Sequence, residues 1–90
     1  MSTSADVRVT GRVQGVFFRA ACQERAGQLG VTGWVSNEPD GSVAGHFEGE
    51  ADAVEALVAW CREGTAYARV DRVEVTEARP TEATTFEVRG

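Results

Sequence analysis

The segment best suited to chemistry is a turn between a strand-like and a helix-like run, Val13-Gln14-Gly15-Val16-Phe17-Phe18-Arg19. A helix start exposes unpaired backbone N–H groups and the positive end of the helix dipole, which favours an anion. Gly15 lets the backbone curl until several N–H groups converge, and Arg19, about one turn into the helix, can close this cradle with its guanidinium. The residues alone fit equally well an ordinary turn glycine followed by a solvated arginine.

Other reactive side chains do not form a recognisable site. The turn lacks the Gly-Lys-Ser/Thr ending of a nucleotide-binding P-loop. His46 has no neighbouring ligand set and is interpreted as a surface strand residue, and the acidic residues are scattered, so we expect no metal and no cofactor. Cys22 and Cys61 fall on apolar helix faces, which predicts two buried free thiols rather than a disulfide or a nucleophile.

Net charge argues against nucleic-acid binding as the main activity. The formal charge is −5, whereas binding to nucleic acid needs a dense basic surface. The charge is uneven: residues 1–30 carry four arginines and two acidic residues, and residues 31–90 carry five arginines and twelve acidic residues. A small anion would therefore be drawn to one end of an acidic protein.

The composition of the N-terminal segment predicts that the protein is located in the cytoplasm. Residues 1–5 have neither the basic start nor the apolar stretch of a secretory signal and are expected to form a flexible tail. No stretch is apolar enough to span a membrane. Residues 6–90 are expected to form a single domain, because 90 residues suffice for only one core, and a monomer is expected.

Hydrophobic periodicity and turn residues predict the element order β-α-β-β-α-β with a short final strand. The predicted ranges are strands at 6–13, 31–37, 42–50, 70–78 and 84–89, and helices at 17–29 and 51–63. Glu38-Pro39-Asp40-Gly41 supplies the tight turn of an antiparallel hairpin. This order is typical of the α+β ferredoxin-like fold, a split β-α-β sandwich with one antiparallel sheet and two helices on one face. Phe17 and Phe18 are interpreted as core anchors.

Two stretches then carry a specific resemblance. "VTGRVQGVFFR" resembles the first signature of the acylphosphatase family, Val-x-Gly-x-Val-Gln-Gly-Val-x-Phe-Arg, and "GWVSNEPDGSV" resembles the second. The first is matched at Val9, Gly11, Val13, Gln14, Gly15, Val16, Phe18 and Arg19. The second is matched at Gly33, Trp34, Val35, Asn37, Asp40, Gly41, Ser42 and Val43. The resemblance covers nearly the whole chain after residue 5.

The resemblance implies hydrolysis of small acyl phosphates to a carboxylate and inorganic phosphate. By the family's pattern, Arg19 binds the phosphate together with the backbone N–H groups of Gln14, Gly15, Val16, Phe17, Phe18 and Arg19 itself. By the same pattern, Asn37 positions the attacking water. Without the resemblance, its place beside the hairpin turn would favour a structural role. No metal is implied.

Two positions depart from the family's pattern. Ser36 stands where the family usually has a basic residue, and Gly64-Thr65-Ala66 replaces the usual Gly-Pro after the second helix. The second departure predicts a more flexible loop, with an effect on stability rather than on chemistry.

Two other functions remain as alternatives. The first is a binding module of the same fold that senses phosphate or acyl phosphate without turnover. The second is an RNA-recognition module, which shares the element order but needs paired aromatic residues on a basic sheet. Strand three offers only Phe47 between acidic neighbours, so RNA binding ranks last.

Overall fold

A computed structural model describes all residues, Met1–Gly90. The chain forms five strands and two helices. They are β1 (Ser2–Arg12), α1 (Phe18–Leu29), β2 (Thr32–Asn37), β3 (Val43–Glu50), α2 (Ala51–Glu63), β4 (Arg69–Glu77) and β5 (Phe86–Arg89). Neither helix is long and apolar enough to cross a membrane.

The five strands form one sheet in the order β4-β1-β3-β2-β5. The pairs β1–β3, β1–β4 and β2–β3 are antiparallel, as expected. The last strand differs from the expectation of a wholly antiparallel sheet, because β5 runs parallel to β2. The β4–β5 connection crosses from one sheet edge to the other, so β5 arrives in the direction of β2. The ferredoxin-like fold is confirmed, with both helices packed on one face.

Period-two side chains of the sheet meet the apolar stripes of the two helices. Val7 and Val9 of β1 and Phe47 of β3 are buried against helical residues. The buried helical residues are Phe18, Cys22, Ala26, Val54, Leu57 and Cys61. Both cysteines are buried free thiols, as predicted. A hydrogen bond with Cys61, together with burial, raises the pKa of the Cys22 thiol, so the thiolate is disfavoured.

The N-terminal segment corrects one prediction. Residues 1–5 are not a free tail: β1 begins at Ser2, and Ser2–Ala5 pair with Phe47–Glu50. The terminal amino group of Met1 also lies 2.5 Å from Oε2 of Glu50. The polar residues of this segment hide the pairing in the sequence, because strand hydrogen bonds use the backbone and not the side chains.

The prediction for His46 is wrong. Its side chain is on the sheet face away from the helices, yet the residue is only 4% exposed. Its Nδ1 is 2.7 Å from Oδ1 of Asp6, and its Nε2 is 2.6 Å from Oε2 of Glu48. Thr81, in the β4–β5 connection, donates its backbone N–H (2.8 Å) and its hydroxyl to the same Glu48 oxygen. The connection therefore binds the carboxylate next to the histidine, while the Trp34 ring of β2 stacks on the imidazole with centroids 6.4 Å apart.

This network holds charged groups on both sides of the histidine. Burial opposes the imidazolium, but hydrogen bonds to Asp6 and Glu48 outweigh it and raise the pKa of His46. Burial likewise opposes the Glu48 carboxylate, but the Thr81 and His46 hydrogen bonds lower its pKa to about 2. Both ring nitrogens face carboxylates, so the protonated ring satisfies both as a donor.

Stability is expected to decline on both sides of mildly acidic pH. The Glu48 contribution is present above its unfolded pKa of 4.5 and is lost as pH falls toward about 2. The His46 contribution is complete below its unfolded pKa of 6.5 and is lost as pH rises through the higher folded value. Urea unfolding across this pH range is expected to give a maximum near pH 5 to 6.

Glu48→Gln is expected to lower the free energy of unfolding by about 2 kcal/mol at pH 6, since it weakens several bonds to a buried charge. The loss should shrink as pH falls from 4.5 toward about 2, because Glu48 is protonated first in the unfolded wild-type chain and only near the lower value in the folded one. The exposed Glu55→Gln on α2 serves as the matched control and should stay within about 0.5 kcal/mol of wild type. Equal effects of the two substitutions would contradict a stabilising role for this network.

Candidate functional site

The β1–α1 loop leaves its backbone N–H groups free. None of the N–H groups of residues 14–19 donates to a backbone or side-chain acceptor, and Phe17, the N-cap of α1, makes no side-chain cap. The first bond of this turn is donated by Ala21 to the Phe17 carbonyl, at 3.0 Å. A row of free donors at a helix start can bind an anion through the backbone alone.

Two unusual backbone conformations shape this loop. Gly15 has φ +71°, and a Cβ added there would meet nothing within 4 Å, so open space lies over the loop at this point. Phe17 also has positive φ, 63°. A bulky residue in the left-handed region costs roughly 1–3 kcal/mol and persists only where surrounding contacts enforce it.

Contacts on both sides of Phe17 supply that enforcement. Val16 and Phe18 are buried, and the Phe18 ring packs on Trp60 with centroids 5.1 Å apart. Phe17 itself is 73% exposed, so the prediction that it anchors the core is wrong, whereas the same prediction for Phe18 is confirmed. Consecutive residues here point in different directions because the chain changes from loop to helix between them.

Gln14 ties the loop to the β2–β3 hairpin through its side chain. Its Nε2 donates to the carbonyl oxygens of Glu38 and Ser42, each at 2.8 Å. The sequence prediction for Gln14 concerned its backbone N–H alone, so this side-chain contact was missed. A glutamine in a turn of small and apolar residues is the signal available in the sequence, because its amide needs partners once it is half-buried.

Thr65 holds the loop from the other side. Its hydroxyl donates to the Val16 carbonyl oxygen at 2.8 Å. The C=O of Val16 and the N–H of Phe17 belong to the same peptide plane and point in opposite directions. Holding the carbonyl toward Thr65 therefore turns the Phe17 N–H away from it. The α2–β4 loop was predicted to affect stability alone, so its link to the β1–α1 loop was missed.

The structure brings Arg19 and Asn37 together through Gly90. The Nη1 group of Arg19 donates to the carbonyl oxygen of Arg89 at 2.7 Å and to Gly90 O at 2.8 Å. A Cβ added to Gly90 would lie 2.9 Å from the backbone oxygen of Asn37 and 2.8 Å from Oγ of Ser36. Gly90 thus contacts both candidate residues. The Nε and Nη2 groups of Arg19 donate to no protein acceptor and are available to a ligand.

The Asn37 side chain has an unusual hydrogen-bonding state. Its Oδ1 is buried and has no hydrogen-bond partner. A buried acceptor without a partner costs about 1–3 kcal/mol, so such atoms often mark functional sites. Its backbone is fixed at the end of β2, where it pairs with Val43.

The hairpin that carries Asn37 is braced by a charged network. The Ser42 N–H (2.9 Å) and hydroxyl (2.6 Å) donate to Oδ1 of Asp40, and these bonds lower the pKa of Asp40. Arg8 of β1 donates to Ser42 Oγ at 2.7 Å. The hairpin is therefore held by β1 as well as by Gln14. In contrast, no group of three or more His, Cys, Asp or Glu side chains is arranged to hold a metal ion.

Comparison with known proteins gives a consistent result. The acylphosphatase family profile matches residues 5–88. An acylphosphatase of Rubrobacter xylanophilus is 63% identical over 71 residues, which cover 79% of this chain and 64% of that protein. An acylphosphatase of Nocardioides sp. is 49% identical, with 99% of this chain and 90% of that protein covered. The solved structure of an acylphosphatase from Coxiella burnetii superposes with a TM-score of 0.94 at 39% identity, covering 98% of this chain and 93% of that one.

Gln14→Ala is expected to destabilise the protein by about 1–2 kcal/mol, because it removes two side-chain hydrogen bonds between the loop and the hairpin. The carbonyl oxygens of Glu38 and Ser42 keep their backbone donors, the N–H groups of Gly41 and Glu38. Gln28→Ala is the matched control, since Gln28 lies exposed on α1 and only accepts a bond from Arg25. Urea denaturation of the two variants measures the difference. Equal stability of the two would show that the Gln14 contacts do not hold the loop to the hairpin.

Proposed function

The chain belongs to the acylphosphatase family, and from this membership we propose that it hydrolyses small acyl phosphates to a carboxylate and inorganic phosphate. The backbone N–H groups of residues 14–19 and the Arg19 guanidinium hold the phosphate. Asn37 orients the attacking water. The observation that best supports this proposal is the row of loop N–H groups without protein acceptors beside an arginine with free donors.

The reaction suits so small a set of groups. The leaving group is a carboxylate, which is a weak base, so its departure needs no general acid. The main obstacle is the negative phosphate, which repels a nucleophile and whose outer oxygens carry the charge of the transition state. Fixed N–H dipoles and one guanidinium stabilise that charge without reorganising during the reaction.

Arg19 enters this site already oriented. Its Nη1 is bound to the backbone oxygens of Arg89 and Gly90, which leaves Nε and Nη2 to bind two phosphate oxygens. Because one edge of the guanidinium is held by the backbone, little side-chain freedom is lost when phosphate binds.

Asn37 is suited to position water. Its Oδ1 has no protein donor, so the side-chain amide can turn toward the loop without breaking an Oδ1 hydrogen bond. Oδ1 then accepts a hydrogen bond from a water O–H and directs an oxygen lone pair toward phosphorus. The water proton can then pass to a phosphate oxygen. With this route for the proton and a weakly basic leaving group, the proposed reaction needs neither a metal ion nor a histidine.

We also propose that the protein acts as a monomer in the cytoplasm. The loop, Arg19 and Asn37 all come from one chain, and the two free buried cysteines suit a reducing compartment. Light scattering during size exclusion is expected to give the mass of one chain, 9.6 kDa. A mass that is a multiple of this value would reject the monomer.

Wild-type protein is expected to hydrolyse benzoyl phosphate in excess EDTA. Arg19→Ala should lower kcat/KM by about 10²- to 10³-fold, because it removes the charged hydrogen-bond donor that stabilises the phosphate in the transition state. Asn37→Ala should lower kcat by about 10²-fold with little change in KM, because water orientation matters after substrate has bound. Activity is measured by release of inorganic phosphate.

Two neighbouring substitutions control for non-specific damage. Arg25→Ala removes an exposed arginine of the same helix, and Ser36→Ala alters the residue before Asn37. Both should retain nearly full activity, with all variants checked for folding by circular dichroism. Loss of wild-type activity in EDTA, or full activity of Asn37→Ala, would contradict the mechanism. Phosphate binding without turnover would instead indicate a binding module.

A further inference from the structure

Two exposed aromatic rings lie in contact beside the β1–α1 loop. Phe17 is 73% exposed and Tyr67 is 71% exposed, and only Met1 is a more exposed large hydrophobic residue. Their ring centroids are 6.1 Å apart at an interplanar angle of 63°, an edge-to-face arrangement. Exposed aromatic surface is costly in water, so a pair placed at the rim of a site suggests a ligand-binding role.

One ring belongs to the loop that contributes the free N–H groups, and the other belongs to a neighbouring loop that is hydrogen-bonded to it. Phe17 lies inside that row, and its left-handed backbone together with the buried Phe18 ring turns its side chain outward. Tyr67 lies in the α2–β4 loop, which Thr65 fastens to the Val16 carbonyl at 2.8 Å. The two rings therefore keep a defined position relative to the loop.

We propose that Phe17 and Tyr67 form an apolar wall that binds the acyl group of the substrate and selects aromatic or large apolar acyl phosphates over acetyl phosphate. This inference rests on the proposed function. A phosphate bound to the Phe17 N–H places the attached acyl group within reach of the Phe17 ring. A flat acyl group can then pack against the edge-to-face pair, whereas an acetyl group is too small to cover it.

The chemistry of the pair agrees with a neutral acyl group. The wall itself is two aromatic rings, while the anion is held by Arg19 and the loop N–H groups. Phosphate recognition and acyl recognition thus use different atoms of the same loop: the backbone takes the phosphate, and the side chain of Phe17 takes the acyl group. Substitution of the rings should therefore change selectivity while leaving phosphate affinity intact.

The test compares kcat/KM for benzoyl phosphate and acetyl phosphate. Tyr67→Ala is expected to lower the benzoyl-to-acetyl ratio by about 3- to 10-fold, the effect of one lost aromatic contact. Tyr67→Phe keeps the ring and should keep the ratio. Phe17→Asn should lower the ratio similarly, because asparagine tolerates the left-handed backbone better than most residues.

Two measurements separate selectivity from general damage. The inhibition constant for inorganic phosphate reports on the loop alone and should change less than about two-fold in Tyr67→Ala. Val75→Ala, which truncates an exposed apolar side chain of β4, should leave the ratio unchanged.

Each outcome decides the proposal. An unchanged ratio in Tyr67→Ala, or equal losses for both substrates with weaker phosphate inhibition, would overturn the aromatic wall while the proposed function stands. Wild-type protein that hydrolyses neither substrate would reject both.

Discussion

The site depends on keeping a set of backbone N–H groups without partners inside a folded chain. Backbone donors normally find acceptors, since an unpaired one loses much of its interaction with water on burial. The β1–α1 loop is held by hydrogen bonds to other parts of the chain. Thr65 donates to the Val16 carbonyl, and the Gln14 side chain donates to two carbonyl oxygens of the hairpin. With its conformation held in this way, the loop keeps its donors facing open space.

The split β-α-β order allows distant parts of the sequence to reach this loop. β1 lies inside the sheet, between β4 and β3, and its C-terminal end is close both to the β2–β3 hairpin and to the loop after α2. β5 then runs parallel to β2 and ends beside Asn37. The short final strand therefore completes the site as well as the sheet edge, because its last carbonyls orient Arg19.

The opposite face of the sheet is organised by charge. The His46 network with Asp6 and Glu48 is sealed by Thr81 of the β4–β5 connection, the same connection that delivers β5 to the site. Charges buried in pairs stabilise a fold only when their hydrogen bonds are well made, as they are here. The network fastens the crossover and so supports the strand on which Arg19 depends.

Local patterns in the sequence determined most of the fold and pointed to the proposed site residues. Period-two and helical spacing located every strand and helix, Gly30 ended α1 in the left-handed conformation, and the two family signatures pointed to Arg19 and Asn37. The strands, the helices and the helix end depend on residues close together along the chain. The signatures are recognised from the order of their residues.

Contacts between distant residues decided the rest. The pairing of Ser2–Ala5 depends on β3, and the burial of His46 depends on Asp6 of β1 and Trp34 of β2. The outward turn of Phe17 depends on α2, where Trp60 packs on the neighbouring Phe18. The same is true of Gln14, Thr65 and Gly90. Gln14 binds a carbonyl 24 residues away, and Thr65 binds one 49 residues away. A hydrogen bond to a backbone carbonyl leaves no mark in the partner's residue type, so only the tertiary structure reveals it.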